Sequence, residues 1–115
     1  MDEQANIGIQ VDRQGDAIVV RPQGDIDLAS SPGLRARLRE LIEEAKGRIV
    51  VDLSEVPYMD SSGVATLVEL LQSCRRAELE LFLCQLNERV LSVFQIARLD
   101  GVFTIKESLE EAIGA

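Results

Sequence analysis

Histidine and tryptophan are absent from this 115-residue chain, and it has only two cysteines, two methionines and three prolines. Without histidine no Ser-His-Asp triad can be assembled, and a zinc site loses one of its main ligands. Cys74 and Cys84 stand too far apart for a CxxC pair, which argues further against zinc. Cys74 falls on the apolar face of a helical pattern and Cys84 in a strand pattern, so both read as reduced core thiols. One tyrosine and three phenylalanines leave a core built from aliphatic side chains. There is also no excess of positive charge: 12 Lys and Arg against 20 Asp and Glu give −8. Direct nucleic-acid binding, which needs a basic footprint, is disfavoured, and so is docking on an anionic membrane. The acidity either attracts a basic partner surface or serves solubility alone. No apolar run approaches the ~20 residues of a membrane span. The opening "MDEQANIGIQ" has neither the basic nor the apolar region of a signal peptide, so a cytoplasmic protein is expected.

What remains is one domain's worth of chain, 46% apolar, long enough to bury about two-thirds of its unfolded surface. Ile7, Ile9 and Val11 alternate as in a half-buried strand. "DRQGD" then reads as a hairpin turn and "AIVVRP" as the returning strand. After the loop "QGDIDLASSPG", Leu34, Leu38, Leu41, Ile42 and Ala45 share a helical face. Ser31 is its expected cap, with Pro32 at the first helical position and Lys46-Gly47 at its close. "RIVVDLS" predicts a strand buried on both faces. A second helix carries Val64, Leu67, Val68, Leu71 and Cys74 inward. "LELFLC" is a fourth strand, Asn87 caps a third helix holding Val90, Leu91 and Phe94, and "GVFTI" is a fifth strand. Glu107 or Ser108 starts a last short helix with Leu109, Ala112 and Ile113. Strand and helix alternate after the opening hairpin. This predicts a single α/β domain over residues 1–115, with a mixed, mainly parallel sheet of about five strands, an N-terminal antiparallel hairpin and four helices.

Open α/β sheets carry function at the carboxyl ends of their strands. The third strand delivers Asp60-Ser61-Ser62-Gly63 to the start of the second helix. N–H groups in a first helical turn lack internal partners and carry the positive end of the helix dipole, which suits a phosphate. A phosphoryl group on Ser61 would bring about −1.5 to −2 charges, with Asp60 and the loop acids Asp25 and Asp27 as repelling neighbours. Gly63 would let a second backbone or a nucleotide phosphate come close. The plainer reading makes Asp60 or Ser61 a helix cap, Ser62 first-turn filling and Gly63 incidental. G-x-S-x-G, GxxxxGK[ST] and GxGxxG are all missing. Asp25, Asp27, Asp52 and Asp60 are the carboxylates from which a magnesium site or a receiver-like centre at Asp52 would be made, against their ordinary use in turns.

Three segments resemble a known family: "GDIDLASSPGLRARL" (24–38), "IVVDLSEVPYMDSSGVATLVEL" (49–70) and "VLSVFQIARLDGVFTI" (90–105). The chain is similar to STAS-domain proteins of the anti-sigma factor antagonist type over nearly its whole length. Asp25 stands where glutamate is commoner, Val64 where leucine is, and Leu99-Asp100-Gly101 where a serine-glycine pair is frequent. The resemblance implies a phosphorylated serine matching Ser61, modified by an anti-sigma factor that is itself a serine kinase and holds the ATP, so that the chain needs no cofactor. It implies release on phosphorylation, resetting by a PP2C-type phosphatase, and a contact surface of Asp25, Asp27, Asp60, Ser61, Ser62 and Gly63. It leaves open a monomer or weak dimer, and an alternative use as an adaptor in a stressosome-like or ABC-transporter complex.

Overall fold

A computed structural model of the protein describes residues 7–114. Five strands lie in chain order across one sheet: β1 (Gly8–Gln14), β2 (Ala17–Gln23), β3 (Arg48–Asp52), β4 (Glu80–Cys84) and β5 (Thr104–Lys106). β1 and β2 are antiparallel and every later pairing is parallel. The helices are α1 (Ser31–Glu44), α2 (Ser61–Arg76), α3 (Glu88–Ile96) and α4 (Leu109–Gly114). This is the expected mixed α/β architecture.

The sheet has two unequal faces. Ile18 and Val20 of β2, Ile49 and Val51 of β3 and Leu81 and Leu83 of β4 face α1, α2 and α3. They join Leu34, Leu38, Leu41, Val64, Leu67, Leu70, Val90 and Phe94 in the main core. The alternate residues Val19, Val50, Phe82 and Cys84 form a smaller cluster under Ala112 of α4. β3 is buried from Ile49 to Asp52, because helices cover both of its sides.

Several boundaries differ from the sequence reading. The hairpin turn is only Gly15-Asp16, with Arg13 and Gln14 paired in β1; Gly15, at φ 61°, supplies the left-handed conformation such a tight turn needs. Ser31 is not a cap but the first residue of α1. The boundary residue Ser30 makes no side-chain cap, because its hydroxyl donates to Asp25 O instead. α1 closes at Ala45, in extended conformation, rather than at Lys46-Gly47. β5 is shorter and later than "GVFTI": the N–H groups of Val102 and Phe103 both donate to Leu99 O, so they are unavailable to a strand ladder. Asn87 caps α3 as expected, accepting from Val90 N at 2.7 Å, and Ser108 caps α4, accepting from Glu111 N.

Candidate functional site

Two loops at the carboxyl end of the sheet are knitted together ahead of α2. Gly24 N donates to Glu55 O, Ile26 N to Tyr58 O and Asp60 N to Ile26 O at 2.9–3.1 Å, with an isolated parallel bridge between Ile26 and Met59. Both of those side chains are buried. The first turn of α2 rests directly on this pair at Gly63: a Cβ there would lie 2.5 Å from Met59 Cγ and 2.9 Å from Ile26 Cγ2. The space left by the missing side chain is therefore filled from within the chain, not open to a partner backbone or nucleotide as the sequence suggested.

Asp60 is the cap of α2. Its Oδ1 accepts from Ser62 N at 2.9 Å, from Gly63 N at 3.3 Å and from Ser62 Oγ at 2.6 Å. The Ser62 hydroxyl foremost holds the Asp60 carboxyl below the usual range; burial opposes it, and the N–H groups of Ser62, Gly63 and Leu28 add to the lowering. Of the two sequence readings, the plainer one with Asp60 as helix cap holds, and the N–H groups of Ser62 and Gly63 are not open to an external phosphate. Asp60 already occupies them.

The two adjacent serines differ. Ser62 is half-buried, its hydroxyl directed to Asp60 and lying 3.0 Å from Ser31 Oγ; Ser31 in turn donates to Asp27 O at 2.7 Å. Ser61 is exposed, and its hydroxyl has no hydrogen-bond partner among the described residues. Asp27 is half-buried and uses Oδ1 to accept from Ala29 N and Ser30 N, the side-chain-to-backbone pattern of an Asx turn. Asp25 is exposed beside it. Ser61, Asp60, Asp27 and Asp25 thus share one end of the molecule.

Asp52 does not belong to that group. It alternates with Val51, so it shares the face of Val50 on the α4 side of the sheet, fully buried. Its carboxylate accepts from Arg21 Nε at 2.9 Å, Ser54 N at 3.0 Å and Gln85 Nε2 at 3.1 Å. Burial acts to raise its pKa, but these hydrogen bonds together outweigh burial and hold it below the usual value. Among the described residues no three carboxylates or cysteines gather where they could hold a metal ion, and Asp52 is separated from Asp25, Asp27 and Asp60 and engaged by Arg21, Ser54 and Gln85. Burial pushes the thiols of Cys74 and Cys84 up to about 11 and about 12, which keeps both protonated and inert.

The sequence reading missed an apolar groove beside Ser61. Ser61, Val64 and Ala65 of α2 line it with Val93, Ile96 and Ala97 at the end of α3, around a volume of about 390 Å³. Its one visible signal was Ile96, which breaks the inward pattern of α3 and is 83% exposed.

A mixed five-stranded sheet with helices on both faces, and Ser61 exposed at the start of α2, places the chain among the α/β domains. The STAS domain model matches residues 8–112. The anti-sigma-B factor antagonist of Listeria monocytogenes is 34% identical over 103 residues, 88% of this chain and 90% of that protein. The chain belongs to the STAS-domain family, in its anti-sigma factor antagonist branch. An anti-sigma factor antagonist from Mycobacterium paratuberculosis has the same fold, with a TM-score of 0.83 at 19% identity over 99% of this chain and 97% of that one. So does the Bacillus cell fate determinant SpoIIAA in its phosphorylated form, with a TM-score of 0.71 at 23% identity over 93% and 97%. No helix among the described residues is long and apolar enough to cross a membrane.

Proposed function

We propose that this protein is a non-enzymatic phospho-switch that acts as an anti-sigma factor antagonist. The unphosphorylated form binds an anti-sigma factor that is also a serine kinase, and the sigma factor is freed. The kinase, which holds the ATP, phosphorylates Ser61 and lets the antagonist go; a PP2C-type phosphatase restores it. The chain itself uses no cofactor, touches no nucleic acid and works in the cytoplasm, monomeric or weakly dimeric.

One observation supports this reading above the others: of two adjacent serines, only Ser61 presents an exposed, unengaged hydroxyl, while Ser62 is held by Asp60 and Ser31. A phosphate on Ser61 would stand next to the Asp60 carboxylate, which already occupies the helix terminus. It would therefore remain on the outer surface, where the cost of desolvating it weakens a protein contact. The acidic end formed by Asp25, Asp27 and Asp60 would steer towards the cationic groups that an ATP-binding partner needs around its nucleotide.

The test is a paired capture from native lysate, with wild type and Ser61→Asp as baits and mass spectrometry as readout. Wild type retains a kinase-fold anti-sigma factor, Ser61→Asp does not, and Ser62→Ala still acquires phosphate on Ser61. An identical set of partners on both baits, for instance an ABC transporter or a large STAS assembly, would make the protein an adaptor and Ser61 a first-turn residue.

A further inference from the structure

From the groove between α2 and α3 we infer that the anti-sigma factor anchors an aliphatic or aromatic side chain against Ile96, and that a phosphate on Ser61 ejects it by wetting the mouth of the groove rather than by repulsion at a distance. This rests on the function proposed above.

The groove's make-up is unusual for this chain. Charged residues make up 28% of the sequence, yet Val64, Ala65, Val93, Ile96 and Ala97 bring none to the lining, and Ser61 is its single polar residue. Ala65 and Ala97 are too short to fill the space between the helices, which leaves a hollow of about 390 Å³. Ile96 stands at its edge, 83% exposed, while Val64 at the base is only 7% exposed. A hollow with an apolar base and a protruding aliphatic wall gains from being filled by another apolar side chain. A charged or strongly hydrated group entering it would find nothing to replace its water.

The occupant follows from position. Ser61 is at once the proposed phosphoacceptor and a lining residue, so whatever brings a kinase active site to Ser61 necessarily covers the groove. A phosphate there carries its own hydration shell to the groove's mouth, and seating the anchor requires that shell to be stripped. Repulsion between exposed charges is screened within about 3 Å at 1 M salt; loss of hydration is not.

The experiment uses the full chain and the purified kinase-fold anti-sigma factor retained by the wild-type bait, loaded with ADP so that no phosphate is transferred. Its affinity is measured by calorimetry for wild type, Ile96→Ala, Ile96→Asp and the Ser61-phosphorylated protein, at about 50 mM and about 500 mM NaCl. Ile96→Ala is expected to weaken binding on the order of tenfold and Ile96→Asp by more. With ATP, Ile96→Ala raises KM for Ser61 phosphorylation more than it changes kcat, because the anchor holds the bound substrate and the transition state alike. The ratio of affinities between phosphorylated and unphosphorylated protein stays constant between the two salt concentrations. Ile96 is exposed, so unchanged melting of both variants confirms that the fold is intact.

Binding by both Ile96 variants within twofold of wild type would leave the groove empty and overturn the anchor. A ratio that collapses towards one at high salt would make release electrostatic and overturn the wetting mechanism. Absence of any anti-sigma factor on the wild-type bait is a different result, which removes the function itself.

Discussion

At Gly63 the first turn of α2 approaches the buried pair Ile26 and Met59 so closely that a methyl group meets three atoms at once. Met59 Cγ sits at the end of a flexible side chain and can give way, but Ile26 Cγ2 at 2.9 Å and Ile26 O at 3.1 Å belong to the knitted loops and cannot. Gly63→Ala gains helix propensity of up to about 1 kcal/mol and loses more to overpacking, of order 1–3 kcal/mol. A lowered urea midpoint with an unchanged m-value is expected; a midpoint at or above that of wild type would show that the loops yield freely. The same residue marks a limit of sequence reading. Aspartate, two serines and a glycine at a strand-to-helix junction are recognisable in sequence as a candidate site, but whether the space at Gly63 faces inward or outward depends on Ile26 and Met59. The resemblance singled out Ser61, but the hold on the Ser62 hydroxyl was hidden, because it comes from Asp60 and from Ser31, which is remote in sequence and 3.0 Å from Ser62 in the fold.

The helices show why some elements were legible and others not. β3 declared its two-sided burial through Ile49, Val50 and Val51, and Asn87 declared the start of α3, because each signal is local. β5 was displaced because Phe103 is drawn into the main core, its ring edge-on to Phe94 with centroids 5.3 Å apart, while its N–H closes a turn onto Leu99 O. The seat of α4 was invisible for a similar reason: it depends on Arg48, at the far side of the sequence. Arg48 donates to the carbonyls of Ala112 and Ile113 at 3.0 and 2.7 Å, lies over the Phe82 ring at 4.5 Å and pairs with Glu80. Its cation thus sits at the carboxyl end of a short helix, where the dipole favours it. Arg48→Met keeps much of the apolar stem but removes those donors. Amide exchange in α4 should then quicken, with α2 and α3 protected as before. Equal protection of α4 in both proteins would show that Leu109, Ala112 and Ile113 hold it alone.

Across the whole molecule, two of the carboxylates that the fold holds below their ordinary range sit on opposite faces of the sheet: Asp60 at the start of α2, and Asp52 beneath the α4 side beside Arg21. A carboxyl whose pKa is lower folded than unfolded stabilises the native state fully above its unfolded value, near 3.9, and that contribution is lost as pH falls through the folded value. The protein should therefore keep a stability plateau at neutral pH and lose it in acid, even though acid also relieves the repulsion of a chain at −8. Asp52 dominates this response because its side chain is fully buried and its partner Arg21 is only 19% exposed, so the pair is poorly screened. Breaking it by Asp52→Asn leaves Arg21 without its counter-charge, at a cost towards the lower end of ~3–5 kcal/mol at neutral pH. The gap between wild type and Asp52→Asn, followed by urea unfolding from neutral pH down to the acid limb, should narrow as the wild-type carboxyl itself becomes protonated. A gap of constant size would mean that the cost lies in packing around β3 and not in the charge. Because Asp52 faces the α4 side of the sheet, away from Ser61, the variant should still be phosphorylated and released at neutral pH, separating what keeps the sheet together from what the start of α2 presents to its partner.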